Sequence, residues 1–529
     1  MNRKIVAIWM SLIMLLGFIV IVDITIDFIP TSKGTTLYVN KTGSDGAYTS
    51  IQDAINASND GDSVFVYNGA YYEDVIVNKT INLTGEDKHT TKINGSGLGD
   101  VIDIIMDWVN ITGFNITGSG SDPGDAGIQL DNVQYCRIDN NNLSNNCYGI
   151  YIMNRSSNNT IIDCRISNSS SFGAGIYISN SDDIFVTNCS FYNTSMRGIE
   201  LLYSSKARIS NSTIINGYYG ISAYDSPNNT ILNCSFKDGT IGIRLSLSPN
   251  CTLKNNSISN NMYNLEIAGA ELYDFFQDIE GTNTINGKPI YYLVEQSDLE
   301  FNETMNVGYL GLVSCVNITV RNLTLSGNGH AVLLVNTTDS LVDNTGCFNN
   351  RWGVSIWKSS NNRISNCSFD FNYWANIGIE HQSVNNTVYN CTVENNPNQF
   401  GGILIEDSQN NQILQSTIYN NKYGIYIAGS SVNNILQANT VTWNDYDGIH
   451  LDSVTNNSVI SNNISKNRNG LCLISSSNNN IATNNIVMND ERGISLSLSN
   501  DNNFDNSNIW NNTIGIYLDS SQKNNITNN

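Results

Sequence analysis

Gly424-Ile425-Tyr426-Ile427, with the Asn/Ser-rich turn that follows it, is one copy of a pattern filling this chain from about residue 110 onward. Ile425 and Ile427 share one side of an extended strand and Tyr426 takes the other, because successive side chains alternate. The same aliphatic pairs recur at Ile150/Ile152, Ile176/Ile178, Ile199/Leu201, Ile243/Leu245, Ile403/Ile405, Ile449/Leu451, Leu471/Leu473, Ile494/Leu496 and Ile516/Leu518. Their glycines are Gly127, Gly149, Gly175, Gly198, Gly220 and Gly242, spaced 22, 26, 23, 22 and 22 residues apart. A second series, Gly353, Gly378, Gly402, Gly424, Gly448, Gly470, Gly493 and Gly515, is spaced 25, 24, 22, 24, 22, 23 and 22 apart. A unit this short cannot bury its own apolar face, so the copies must stack as a solenoid.

A second strand follows each Asn-rich turn, as in Thr230-Ile231-Leu232-Asn233-Cys234-Ser235-Phe236 and Arg363-Ile364-Ser365-Asn366-Cys367-Ser368-Phe369. Two or three short strands in about 22 residues describe one turn of an all-β parallel β-helix. Leucine-rich repeats have a similar period but need a leucine consensus, which is missing. Cys136, Cys164, Cys189, Cys234, Cys367 and Cys391 occupy one position of the repeat, taken elsewhere by Ser212, Asn256, Ser416 and Asn439. Interchangeable small residues in one column predict an internal ladder of stacked side chains, with the thiols behaving as small buried groups. Bridges between neighbouring coils remain open, whereas no C-x-x-C pair calls for zinc.

Residues 31–110 form an N-terminal cap and first coils. In Tyr48-Thr49-Ser50-Ile51-Gln52-Asp53-Ala54-Ile55, Thr49 and Gln52 are placed as a capping box and Ile51, Ala54 and Ile55 as an apolar helical face. A short helix there would cover strand edges that the first coil otherwise exposes. Residues 111–529 are the repeats, interrupted at 268–313. There Asn286-Gly287 between apolar alternations predicts a two-residue hairpin, and the segment reads as irregular coils with a protruding hairpin, a candidate partner surface.

The N-terminus reads as a signal-anchor within residues 1–30. Arg3-Lys4 precede Ile5 to Val22, 18 residues without a charge and with no small-residue cleavage site behind them. The positive flank favours a cytoplasmic N-terminus and an extracytoplasmic, membrane-anchored remainder at the cell surface. Asn-x-Ser/Thr triplets such as Asn78-Lys79-Thr80, Asn188-Cys189-Ser190 and Asn317-Ile318-Thr319 then become candidate glycosylation acceptors. With Lys+Arg 26 against Asp+Glu 47, the net charge of −21 repels phosphate backbones and argues against a nucleic-acid partner.

The opening, with Gly61-Asp62-Ser63-Val64, Gly69-Ala70-Tyr71-Tyr72-Glu73 and Ile81-Asn82-Leu83-Thr84-Gly85, resembles the start of pectin-lyase-like proteins. The Gly-Ile strands and Asn286-Gly287-Lys288-Pro289-Ile290-Tyr291-Tyr292 resemble the NosD-type β-helix domain of archaeal surface proteins. That resemblance implies a right-handed, single-stranded parallel β-helix and, for NosD itself, a periplasmic role in copper-site maturation. Related β-helices bind or cleave carbohydrate. The leading expectation is therefore a structural or carbohydrate-binding surface protein, its partner a carbohydrate or another cell-envelope component. The alternatives are a polysaccharide lyase or hydrolase and a NosD-like accessory protein.

Candidate residues follow from aligning the coils. Tyr151, Tyr177, Tyr291 and Tyr292 could stack on sugar rings. Asp447, His450 and Asp452 put acid and imidazole on one coil, the materials of general acid–base chemistry. If Asn376, rather than Gly378, anchors its coil, Glu380 and Glu406 share a column in adjacent coils and could bind a cation. Copper favours thioether, thiolate and imidazole donors. The 4 His and 9 Met are dispersed, and about 14 Å of stacked strands separates the coils of His381 and His450. No cofactor and no copper cluster is expected.

Overall fold

Strand Asp447–Asp452 is followed by Ser458–Ile460, Asn463–Ser465 and then Asn469–Ile474, which begins the next turn. The chain corners between them on left-handed residues, Ser453 (φ 59°), Asn456 (φ 59°), Ser461 (φ 56°) and Lys466 (φ 57°). Asparagine tolerates this region better than most residues, because its short side chain bonds locally. In this computed structural model, which describes residues 34–170 and 172–529, about 21 such turns form a right-handed parallel β-solenoid. The apolar run Ile5–Val22 lies outside the described residues. Among those described, no helix is long and apolar enough to cross a membrane.

Like stacks on like, as the repeat predicts. Ile425 pairs with Ile449 and Ile427 with Leu451, then Leu471 with Ile494 and Leu473 with Leu496. All of these aliphatics are fully buried. The glycines permit the stacking: a Cβ on Gly424 would lie 2.4 Å from the Gly448 carbonyl oxygen and 2.5 Å from Val441. Asn376 does take the glycine slot of its coil, lying beside Gly353 with Ala375 on Trp352 and Ile377 on Val354. Gly378 is therefore no anchor; it stands between Ser355 and Leu404 on the outward middle column.

The corners add a second set of columns. In the run Asn411, Asn434, Asn457, Asn479, each backbone N–H donates to the next coil's Oδ1, at 2.9 Å in all three steps. Asn434 Nδ2 also donates to Ser408 O and Asn457 Oδ1, both at 3.0 Å. A parallel column runs Asn421, Asn444, Asn467, Asn489. The mixed column is present too: Cys391 N–H donates to Ser416 Oγ at 3.1 Å and Ser416 N–H to Asn439 Oδ1 at 2.9 Å. All the cysteines are free; Cys472 is half-buried and the others are buried.

The helix Ile51–Ala57 buries Ile51, Ala54 and Ile55, as its pattern demands. Its cap differs from the sequence reading. Ser50, not Thr49, is the N-cap and accepts from Asp53 N–H at 3.3 Å, while Glu73 from the next coil accepts from Ile51 and Gln52 N–H. Gln52 instead pairs with Ile76 through both amide atoms, at 2.7 and 3.2 Å. It thereby covers the edge of strand Val75–Val77.

Where the period fails, the solenoid restarts. Asn286 (φ 49°) and Gly287 (φ 79°) turn an antiparallel pair, Thr284 on Pro289 and Ile285 on Lys288. The hairpin does not protrude: Ile285 and Ile290 are buried and only the turn reaches the surface. Two cores result, and the opening coils of the second section serve both. Along His330–Val335, Val332 and Leu334 belong to the second core, while Leu333 and Val335 point the other way into the first, with Tyr309, Val313 and Trp357. The outward face of the second section's opening coils thus roofs the end of the first section. Glu266, on the last long strand before the break, receives both carboxylate contacts of Arg351 Nη1 (2.7 and 2.9 Å) across that junction.

Candidate functional site

The long strands of the second section present three outward columns. Registers put Tyr423, Asp447, Asn469 and Arg492 in one, Leu404, Tyr426, His450 and Cys472 in the next, and Glu380, Glu406 and Asp452 in the third. Aromatic rings line this face in file. His330 to Trp352 is 6.4 Å between centroids, Trp352 to Trp374 6.1 Å, Trp374 to Phe400 6.0 Å, Phe400 to Tyr426 5.8 Å, and Tyr426 to His450 4.7 Å. Each step crosses one coil. The four central rings are partly exposed and the two histidines buried. Arg351 lies over Trp374 at 5.3 Å, a cation–π contact that fixes the indole.

Titratable groups gather where the file ends. Asp447 Oδ2 is 2.6 Å from His450 Nδ1, and Asp447 Oδ1 accepts from Asn469 Nδ2 at 2.8 Å. The His450 ring stacks on Tyr426 with 4° between planes, and the Tyr426 hydroxyl donates to Asp452 Oδ2 at 3.2 Å. Burial, reinforced by Asp452, pushes the Tyr426 phenol well up. Cys472 stacks directly under His450, its thiol raised by burial and by Asp447. Asp447, His450 and Cys472 place one donor atom each within 4.8 Å of one another.

The three residues Asp447, His450 and Asp452 are thus brought together, Asp452 through Tyr426. Glu380 and Glu406 do lie in one column of adjacent coils, since Ile379 pairs with Ile405. Burial, with Glu406 adding to it, pushes the Glu380 carboxyl up to about 8. Tyr151 and Tyr177 pair in register on the first section, but they pack edge to face on each other at 5.3 Å and tilted against Tyr148 at 5.3 and 5.1 Å. Tyr292 is corrected: it is buried, and its hydroxyl donates to Phe275 O at 2.6 Å, so it has no face to offer. Tyr291 is half-buried, edge-on to Phe301.

Sequence reasoning passed over Trp352, Trp374, Phe400 and Tyr423. Trp352 and Tyr423 stand immediately before the glycine slot of their coils, and Trp374 and Phe400 two residues before it, all of them outside the middle column compared. It also sought histidines near histidines, whereas the mixed donor set takes its cysteine from the next coil.

A family model described as right handed beta helix region matches residues 126–291, 278–413 and 306–442. One described as periplasmic copper-binding protein (NosD) matches residues 391–529. No curated protein matches the sequence. Among solved structures, an alginate lyase from Paenibacillus sp. is 15% identical, with 47% of this chain and 97% of that one covered at a TM-score of 0.36. A periplasmic alginate epimerase variant is 14% identical, covering 66% of this chain and 78% of that one at 0.38. A pectin methylesterase from Aspergillus niger is 15% identical, covering 48% and 86% at 0.31. The overlapping matches span more than half of the sequence and coincide with the stacked coils: the chain belongs to the right-handed β-helix family, with NosD-type sequence over residues 391–529.

Proposed function

We propose that this is an extracytoplasmic β-helix protein, tethered by its N-terminal apolar run, that binds an extended polysaccharide along the outward face of its second section. The file of Trp352, Trp374, Phe400 and Tyr426 carries this reading. Rings spaced one coil apart offer successive apolar faces to the C–H faces of successive sugars, and burying aromatic surface is the largest gain available at such a face. Tyr423, Glu406 and Asp452 supply hydroxyl and carboxylate partners beside them. The net charge of −21 opposes polyanions, so a neutral glycan is the fitting ligand. The NosD-type match, a family described as periplasmic, supports the extracytoplasmic placement.

A glycan array on the purified chain tests this directly, followed by titration calorimetry on any hit. Trp374→Ala should weaken binding at least ten-fold, and Tyr151→Ala, on the first section, should leave it unchanged. Absence of binding to every neutral polysaccharide sinks the reading. A second reading, that the bound glycan is also cleaved, is favoured by the 2.6 Å contact between Asp447 and His450, which orients an imidazole for proton transfer. New reducing ends, abolished in His450→Ala, would support it.

A further inference from the structure

The cluster at the end of the aromatic file joins a carboxylate, an imidazole and a thiol, and nothing in saccharide stacking requires the thiol. We propose that Asp447, His450 and Cys472 form a zinc site, a function beyond glycan binding. The solenoid assembles it by register: His450 and Cys472 are cross-strand neighbours in one column, and Asp447 and Asn469 are neighbours in the column beside it. The donors lie within 4.8 Å of one another. Tetrahedral zinc holds its donors roughly 3.5 Å apart, given its bond lengths to nitrogen, oxygen and sulfur, so the three donors must draw together around the ion to close the set.

Three observations give the site its chemistry. Asp447 and His450 are only 6% exposed, and the Tyr426 stack together with the Asp447 contact holds the imidazole in place. Asn469 Oδ1 is buried with no hydrogen-bond partner, although Asn469 Nδ2 donates to Asp447. Turning that amide over puts an oxygen beside Asp447, which a cation accepts as a fourth donor and a proton does not require. The combination of thiolate, imidazole and carboxylate suits zinc. Calcium and magnesium take oxygen alone, and copper(I) prefers sulfur ligands. Loading exchanges the Cys472 S–H bond for an S–Zn bond and releases the proton to solvent, so affinity must rise with pH.

The test uses the full chain stripped with chelator, reloaded with zinc and desalted, with metal measured by atomic emission. One equivalent of zinc should be retained, and cobalt(II) in its place should give a thiolate-to-cobalt charge-transfer band. Cys472→Ser, a conservative change whose fold is checked by circular dichroism, should lose that band and weaken zinc at least ten-fold. His450→Ala should weaken zinc similarly, and His381→Ala should not. A wild-type chain that retains no zinc overturns the proposal. So does a charge-transfer band that survives in Cys472→Ser, or uptake of copper(I) with no uptake of zinc. Loss of glycan binding in Trp374→Ala with zinc retained separates this site from the proposed glycan face.

Discussion

Truncating Asn434 leaves several polar groups without partners at once. Asn411 N–H and Nδ2 lose the Oδ1 they share, and Ser408 O and Asn457 Oδ1 lose a donor. Buried and unpaired, such groups cost far more than one average hydrogen bond. Asn434→Ala should therefore destabilise by about 2–3 kcal/mol, read as the midpoint shift in urea unfolding. Its neighbour Asn433, at φ 57° on the surface side of the corner, should tolerate glycine within about 0.5 kcal/mol. Gly424→Ala should cost about 1–3 kcal/mol, since the added methyl meets the Gly448 backbone rather than a movable side chain. Glycine spacing was legible because it breaks composition at a fixed interval. The asparagine columns were not, although the doublets Asn361-Asn362, Asn385-Asn386, Asn410-Asn411, Asn433-Asn434 and Asn456-Asn457 mark them. In each doublet the first residue takes the left-handed turn and the second points inward. The sequence reading assigned inward the column that holds Asn256 and Asn439 and passed over the column of these doublets.

At the level of a strand, outward residues in register behave as one group, and Glu380 shows how. Its carboxyl is raised from an ordinary 4.5 to about 8, first by burial and then by Glu406 in the next coil. Below the ordinary value the group is neutral in both folded and unfolded chains and affects stability in neither direction. Between about 4.5 and 8, the unfolded chain ionises freely and the folded chain does not, so stability falls as pH rises. The loss is complete above about 8. Glu380→Gln should match wild type in thermal midpoint at pH 4 and exceed it at pH 9; equal midpoints at both pH values would refute the assignment. The Glu380/Glu406 column could be read from the sequence once Asn376 was allowed the glycine slot. Aligning Gly448 with Gly470 puts His450 and Cys472 in one column too, but the cluster they make with Asp447 was not read from it. Its members come from two columns and two coils, and only the register Asp447 on Asn469 and His450 on Cys472 brings them together.

At the scale of the molecule, the described residues form two stacked-coil sections sharing a junction, and the junction decides how they unfold. A solenoid of near-identical coils is held by nearest-neighbour contacts, so a local defect is felt mainly by adjacent turns. Strands Tyr309–Val313 and His330–Val335 are the exceptions, because both of their faces are buried. The sequence carries the sign of this in Ala331-Val332-Leu333-Leu334-Val335, where apolar residues stop alternating. An unbroken apolar run means a strand covered on both sides, but it does not say by what. Leu333 separates the two roles: it fills the first core, while Val332 and Leu334 keep its own coil packed. Leu333→Ala should cost about 2–4 kcal/mol, and the cost should fall on one section. Native-state hydrogen exchange should quicken in Ile241–Ser246 and Tyr263–Ala268, the last regular long strands of the first section. Strands as far along as Arg492–Ser497 should keep their protection. Adding Arg351→Ala, which takes the shortest ion pair from Glu266, should widen that difference. Equal acceleration in both sections would mean that the cores unfold as one and that Leu333 belongs to both.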